Sequence, residues 1–454
     1  MQSLKHEMKN GARLAPWALA AALALSGCEG APAQEDAEVS EAMSEESELQ
    51  ANPLPAESRL KTRWERQFPD VQLRQVAIEA SGNRVVTLEY SGPTSFGGVD
   101  LPYAGTGTKL GVAKLGPDGS VVWVKGFGAR YGEGFSASAT AHALAVNAQG
   151  DIFLGGSLSQ TGGSDAMWIG GCRVTNGAFL ARLFSDGSCS WARNTQPEPG
   201  EYFEFVDFAA DSQGGFVALA RFPVIIFTSP MMVVSYDADG NPRWTKTFFQ
   251  EANVANGVEG NAVAVDQFDR PYVVGGLAGT VTLGNRTHTV ADDPNVEGAS
   301  TAPLAVAFER NGDIRWSKLL ADSGSATAVS TREGHLMVGL QGKLDEGLAG
   351  YLVSLDLSAN TRWVRKVGSG APITAELGAD KEVTVVAPTG NGTYAVSQWN
   401  RVNGRRLGLR PLEPKYGFIT DVAVSVQDGS STLVGFLQGP TDVERPGFAL
   451  TLNR

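Results

Sequence analysis

Residues that carry metal and nucleophile chemistry are scarce: the 454-residue chain has three cysteines and four histidines. His142, His288 and His335 lie in separate segments with no Cys, Asp or Glu at zinc-site spacing, so no metal centre is expected. Asp237-Ala238-Asp239-Gly240-Asn241 lacks the twelve-residue length and closing Glu of a calcium loop and reads as a hairpin turn. There is no Gly-x-Ser-x-Gly elbow, and spacing alone does not reveal a Ser-His-acid set drawn from distant segments. Basic residues are outnumbered, 37 Lys and Arg against 49 Asp and Glu for a net charge of −12. That balance excludes the cationic footprint nucleic-acid binding needs. Helical periodicity of useful length is missing. The apolar run Leu14–Leu25 falls short of the roughly 20 residues that span a bilayer.

What is present begins with Lys5, Lys9 and Arg13 ahead of that apolar run, the charged-then-apolar order of a secretory signal. The run ends at Leu25-Ser26-Gly27-Cys28, which resembles the lipobox of bacterial lipoproteins. The resemblance implies cleavage of residues 1–27 and acylation of Cys28 as the new first residue. Two or more acyl chains, at about 0.8 kcal/mol per buried methylene, hold a protein stably at a bilayer. Glu29 in place of the aspartate that means inner-membrane retention in some bacteria favours an outer-membrane address. Residues 28–58 then carry nine carboxylates, Glu29 to Glu57, with no Lys or Arg and almost no bulky apolar side chain. Such a segment cannot bury enough surface to order itself and reads as a solvated tether. With a net +2 on the leader, residues 59–454 hold −5.

A stretch of this length divides into several domains unless a repeat lets one architecture grow, and a repeat is there. An apolar strand, a tight turn and a strand with Trp followed two residues later by Lys or Arg recur at Val112–Lys125, Phe179–Arg193, Val233–Lys246, Ala305–Lys318 and Leu352–Arg365. A degenerate copy starts at Tyr394, with Leu407 in the Trp position. After each comes a second alternating hairpin, as in 143–146 with 151–156, and one more stands in front at 75–89. Seven such hairpins require seven blades. The strand around Trp64 has no preceding partner and Phe448–Leu452 has no following one, so the two ends complete one blade. The expected fold is all-β: a seven-bladed β-propeller over residues 59–454, each blade four antiparallel strands A to D from the axis outward. Trp64, Trp123, Trp191, Trp244, Trp316, Trp363 and Leu407 are its expected blade anchors. A buried Trp removes on the order of 150–250 Å² from water, several kcal/mol at about 25 cal/mol per Å².

This grammar, with the Gly-rich stretch Gly275–Gly284 ahead of a C strand, resembles the SBBP-type propeller repeats of myxobacterial and related lipoproteins. It also resembles the quinoprotein-like propellers. The resemblance implies a scaffold and no single activity. The vicinal cysteine pair of many quinone-dependent dehydrogenases is missing, and no cofactor is expected. Cys172 and Cys189 are expected to pair, since an exported chain meets an oxidising compartment; the bridge requires the connection holding Cys172 to fold back along its blade.

The B–C and D–A connections are long and fall on one side of the ring, where loops on a rigid scaffold usually carry function. Arg130, Tyr131, Glu133, Trp168, Tyr202, Phe203, Phe248 and Phe249 are the candidate binding face, or else the aromatics among them pin the long loops onto the blades. Arg66, Lys125, Arg193, Lys246, Lys318 and Arg365 either form a basic ring for an anionic polysaccharide or lie over their tryptophans. The functional expectation is a membrane-anchored, non-enzymatic binding or scaffold protein of the cell envelope with a protein or polysaccharide partner. The alternatives are an envelope glycan hydrolase or lyase using carboxylates from several blades, and an outer-membrane assembly factor.

Overall fold

The computed structural model describes residues 60–103, 105–127, 136–161, 166–195, 203–222, 231–248, 257–292, 300–344, 348–378, 380–438 and 445–453. Cys28, Arg130, Tyr131, Glu133, Tyr202 and Phe249 lie outside them. Among the described residues there are seven four-stranded antiparallel sheets and no helix long and apolar enough to cross a membrane.

In A-to-D order, blade 1 is Gln72–Ile78, Arg84–Tyr90, Lys109–Leu115 and Val121–Phe127, and blade 2 is Ser136–Val146, Ile152–Thr161, Gly177–Leu183 and Cys189–Asn194. Blade 3 is Glu204–Ala210, Phe216–Arg221, Met231–Tyr236 and Pro242–Phe248, and blade 4 is Gly257–Val265, Pro271–Ala278, Thr301–Phe308 and Ile314–Leu319. Blade 5 is Gly324–Arg332, His335–Lys343, Leu348–Asp356 and Thr361–Gly368, and blade 6 is Thr374–Leu377, Glu382–Pro388, Tyr394–Asn400 and Arg406–Pro411. Blade 7 takes Phe418–Val424, Ser431–Phe436 and Gly447–Asn453 from the carboxy terminus and Lys61–Phe68 from the amino terminus. Lys61 pairs with Asn453 and Phe68 with Gly447, so the two ends close the ring and every blade has its full four strands. The middle strands read as near-continuous apolar runs because both faces of each blade are covered by neighbours; all of Arg84–Tyr90 and Lys109–Leu115 is buried.

The recurrent Trp is a clasp between blades. Its indole N–H donates to a carbonyl in the C–D turn of the next blade: Trp64 to Pro117 at 2.8 Å, Trp123 to Ser185 at 3.2 Å and Trp191 to Ala238 at 2.9 Å. Trp244 reaches Arg310 at 2.8 Å, Trp316 reaches Leu357 at 3.0 Å and Trp363 reaches Arg401 at 3.1 Å. The ring lies flat on the turn, and in five of the six clasps a glycine sits beneath it: a Cβ on Gly240 would stand 2.6 Å from the Trp191 ring. In the turn under Trp316 Ala359 takes that place, at φ of +72°. The cation two residues on grips the same turn. Arg193 donates to Asp239 and Gly240, Lys318 to Ala359, Arg365 to Gly404 and Arg66 to Asp118, and Lys246 pairs with Asp313 at 3.5 Å. These five cations are engaged by the scaffold, and Arg193 and Arg365 also lie over their own tryptophans at 5.2 and 5.9 Å.

The degenerate copy has a topological reason. Pairing sets Gly408, not Leu407, opposite Gln398, the register a Trp holds elsewhere, while Leu407 is the bulged residue between. Blade 7, the next in the ring, has no C–D turn, because the chain's two ends stand where the turn would be. An indole there would have no turn to clasp, and Arg410 instead donates to the Leu60 carbonyl at 3.3 Å.

Three B–C connections do not stand on the long-loop face alone. Two-stranded hairpins at Ser95–Phe96 with Val99–Asp100, Met167–Ile169 with Cys172–Val174, and Thr280–Leu283 with Arg286–Thr289 fold down their blades. Their glycine tips, Gly97, Gly170 and Gly284, meet the first residue of the D strand in each case: Val121, Cys189 and Ile314. Radial blades diverge outward, and the hairpins fill the wedge: Phe96 stacks on Phe68 of blade 7 at 4.1 Å. The fold-back also satisfies the disulfide, Cys172–Cys189 with Cα atoms 5.8 Å apart.

Candidate functional site

The inner strands line the axial channel, and in five of them the pairing skips one residue: His142, Val206, Asn261, Thr327 and Thr420. In blade 1 the skip spans Arg74 and Gln75. A bulge turns its extra side chain away from the ladder, here onto the next blade's inner strand. Gln75 donates to the Ala141 carbonyl at 3.1 Å, Asn261 to Ala326 at 2.9 Å, Thr327 to Pro372 at 2.7 Å and Thr420 to Leu73 at 2.9 Å.

Directly after two of the bulges come Asp207 and Asp421. Each binds its own following N–H and one from the next blade, Val263 and Val76 respectively, all at 2.8 Å. Glu376 of blade 6 completes a carboxyl trio. All three are partly solvent-accessible yet enclosed by protein, as at the wall of a narrow channel. Burial pushes Asp207 and Asp421 up to about 7, Asp421 further through the charge of Asp207. Burial, then the charges of Asp421 and Asp207, push Glu376 up to about 8. Two of these carboxyls serve as struts between blades, which is what their backbone partners show. No group of three metal-ligating side chains occurs among the described residues.

The channel mouth on the long-loop side is charged and partly aromatic. Arg74 pairs with Glu89 at 2.7 Å, Arg221 with Glu204 at 3.0 Å and with Glu259 at 3.7 Å. Phe418, 43% exposed, stacks on Phe436 at 4.9 Å. The Arg445 guanidinium lies 4.6 Å from the Phe418 ring centre, and that of Arg74 lies 5.7 Å from Phe436. His142 sits within this mouth, hydrogen-bonded to Thr140 and Ser157 and facing Glu204.

The candidate face from sequence divides. Phe203 is buried against Phe205 and Phe222, Phe248 packs on Phe308, and Trp168 is half-buried on the blade 2 hairpin. Phe203 and Phe248 thus anchor connections to blades. Sequence reasoning missed Phe418, Asp207, Asp421, Glu376 and the His142 cluster. One signal was available: Phe205-Val206-Asp207-Phe208 and Ile419-Thr420-Asp421-Val422 set an acid at the same repeat position of two inner strands.

No protein-family model matches the chain, and no curated protein does either. Solved structures that resemble it include a quinohemoprotein alcohol dehydrogenase from Comamonas testosteroni, 11% identical over 87% of this chain and 76% of that one, with a TM-score of 0.44. The Dos1 propeller is 10% identical over 87% of this chain and 95% of its own, TM-score 0.45. A protein of unknown function from Bacteroides caccae is 12% identical over 78% and 97%, TM-score 0.38. At TM-scores below 0.5 and identities of 10–12% these likenesses carry nothing over to this chain, whose seven blades are read from its own strand pairing.

Proposed function

We propose that this is a lipid-anchored protein of the cell envelope whose propeller binds a protein or polysaccharide partner at the long-loop mouth of its channel. The anchor is Cys28, and the acidic segment 28–58 spaces the ring from the membrane. The observation that carries the binding reading is the stack of Phe418 on Phe436 with Arg445 and Arg74 against the rings. An exposed aromatic face beside guanidinium groups suits a protein surface or a sugar ring. On the opposite side, by contrast, the six repeat tryptophans and five of the cations that follow them are taken up in clasping turns.

The test places a photo-crosslinking side chain at Phe418 or, for comparison, at Phe184 in a C–D turn, in the full-length protein within intact envelopes. Adducts from position 418 and none from 184 support the reading; adducts from 184 alone, or from neither, overturn it. In the same cells Cys28→Ser is expected to move the protein from the membrane to the soluble fraction, and retention in the membrane would remove the anchor.

A further inference from the structure

We propose that Ser157, His142 and Glu204 form a nucleophile, base and positioning acid that cleave ester bonds in the channel mouth. The geometry is that of an acyl-transfer relay assembled across two blades. Ser157 Oγ lies 2.9 Å from His142 Nε2, and His142 Nδ1 lies 3.2 Å from Glu204 Oε1. Nucleophile to base to orienting acid within hydrogen-bond reach is what such catalysis requires, whatever the fold or chain order.

Each member is placed by a feature of the fold. Ser157 pairs across the blade 2 hairpin with Thr140, and His142 is the unpaired bulge residue two positions on. That brings hydroxyl and imidazole together on one face. Glu204 opens the inner strand of blade 3 and is held from its other side by Arg221, at 3.0 Å. A proton carried on Nδ1, the nitrogen that faces Glu204 Oε1 at 3.2 Å, leaves Nε2 as the acceptor for a serine proton. The imidazole and carboxylate side chains are 25% and 29% exposed, so a substrate entering the mouth reaches them.

The charged groups that His142 senses are Glu204 and Arg221 from blade 3 and Arg74 from blade 1. Burial first, with Arg221 and Arg74, lowers the imidazole below its ordinary value against the opposing pull of Glu204. The ring is therefore neutral near pH 7, the state a general base must be in. Thr140 Oγ1 also approaches His142 Nε2, at 3.0 Å, and Ser157 Oγ, at 3.0 Å. One acceptor lone pair takes one proton, and the primary hydroxyl of Ser157 is the less hindered nucleophile. Thr140 then donates to Ser157 and orients it.

In the reaction Ser157 Oγ attacks the ester carbonyl and its proton passes to His142 Nε2. The C–O bond to the leaving alkoxide breaks, and the alkoxide takes that proton. Water then attacks the acyl-serine, gives a proton to His142, and Ser157 recovers it as the acid departs. Arg74 and Arg221 are the cations whose charge reaches the site as negative charge develops on the carbonyl oxygen.

The inference needs no macromolecular partner, so it stands or falls separately from the binding reading. The full chain would be treated with a fluorophosphonate probe and assayed on p-nitrophenyl acetate. Expected are a phosphonyl adduct mapped to Ser157, its absence in Ser157→Ala, and hydrolysis reduced by about 10²–10⁴-fold in His142→Gln. The rate should rise with pH on a limb whose midpoint lies below 6.5. Glu204→Gln removes the charge that raises the imidazole and should move that limb to lower pH, a change that lost stability alone would not produce. Thr140→Val, which removes the hydroxyl that orients Ser157, should slow formation of the adduct while leaving its position at Ser157. No adduct on the folded wild-type protein, an adduct at Thr140 instead, or undiminished hydrolysis in Ser157→Ala would overturn the assignment.

Discussion

At the scale of single residues, the tight C–D turns show how little freedom most copies of a repeat leave, blade 5 alone among the clasped turns carrying an alanine, Ala359, at φ of +72°. Gly240 has φ of +74°, a region costing other residues roughly 1–2 kcal/mol, and an added Cβ would strike the Trp191 ring. Gly214 has φ of +81° with nothing within 4 Å of the same atom. Gly240→Ala is therefore expected to cost about 1–3 kcal/mol more than Gly214→Ala, the usual range for overpacking, in urea unfolding of the two variants. Equal losses would mean the indole yields freely. The Asp or Asn opening such turns was legible in the sequence, because its side chain closes the turn locally: Asp237 accepts from the N–H groups of Asp239 and Asn241. The indole above was legible as a repeat, but its partner was not, since the acceptor carbonyl belongs to another blade.

Among elements, the hairpin wedges explain why long B–C connections do not equal a binding surface. The wedge in blade 2 is also tied covalently, by Cys172–Cys189. Replacing both cysteines by serine should cost around 3 kcal/mol on the chain-entropy estimate for a loop of this size. Amide exchange should accelerate first at residues 167–174, leaving the matching hairpin at 280–289 unchanged. A uniform rise in exchange across all blades would instead place the bridge in the global unfolding unit. Pairing of the two cysteines was readable from their number and the expected compartment. Where the connection runs was not, because it is set by the gap between diverging blades, a property of the ring.

For the whole molecule, Asp207, Glu376 and Asp421 make stability depend on pH in an unusual direction. Their folded values, about 7, 8 and 7, exceed the ordinary carboxyl values near 4. Protonation thus favours the folded state: their contribution is complete below about pH 4 and is lost as pH rises through 7 to 8. Asp428, whose burial is outweighed by the hydrogen bonds of Ser430, Ser425 and Arg63 together, is held well below its ordinary value, acts oppositely and loses its contribution in acid. The melting temperature is expected to peak in mildly acidic buffer and to fall by a few degrees between pH 6 and 8.5. Glu376→Gln should reduce that fall. A variant falling as steeply as the wild type would remove Glu376 from the effect.

The sequence by itself determined the all-β class, the number of blades, the pairing of the chain's ends and the cysteine partners. Each is written in local alternation, in a repeated Trp and turn, in the parity of unpaired strands, or, for the cysteines, in their number. Tertiary structure decided which side chains meet at the axis. Bulges shift the ladder by one residue without leaving a period-2 signature. They aim His142 at Glu204 and Thr420 at the Leu73 carbonyl, groups that become neighbours only when separate blades stand side by side around the channel.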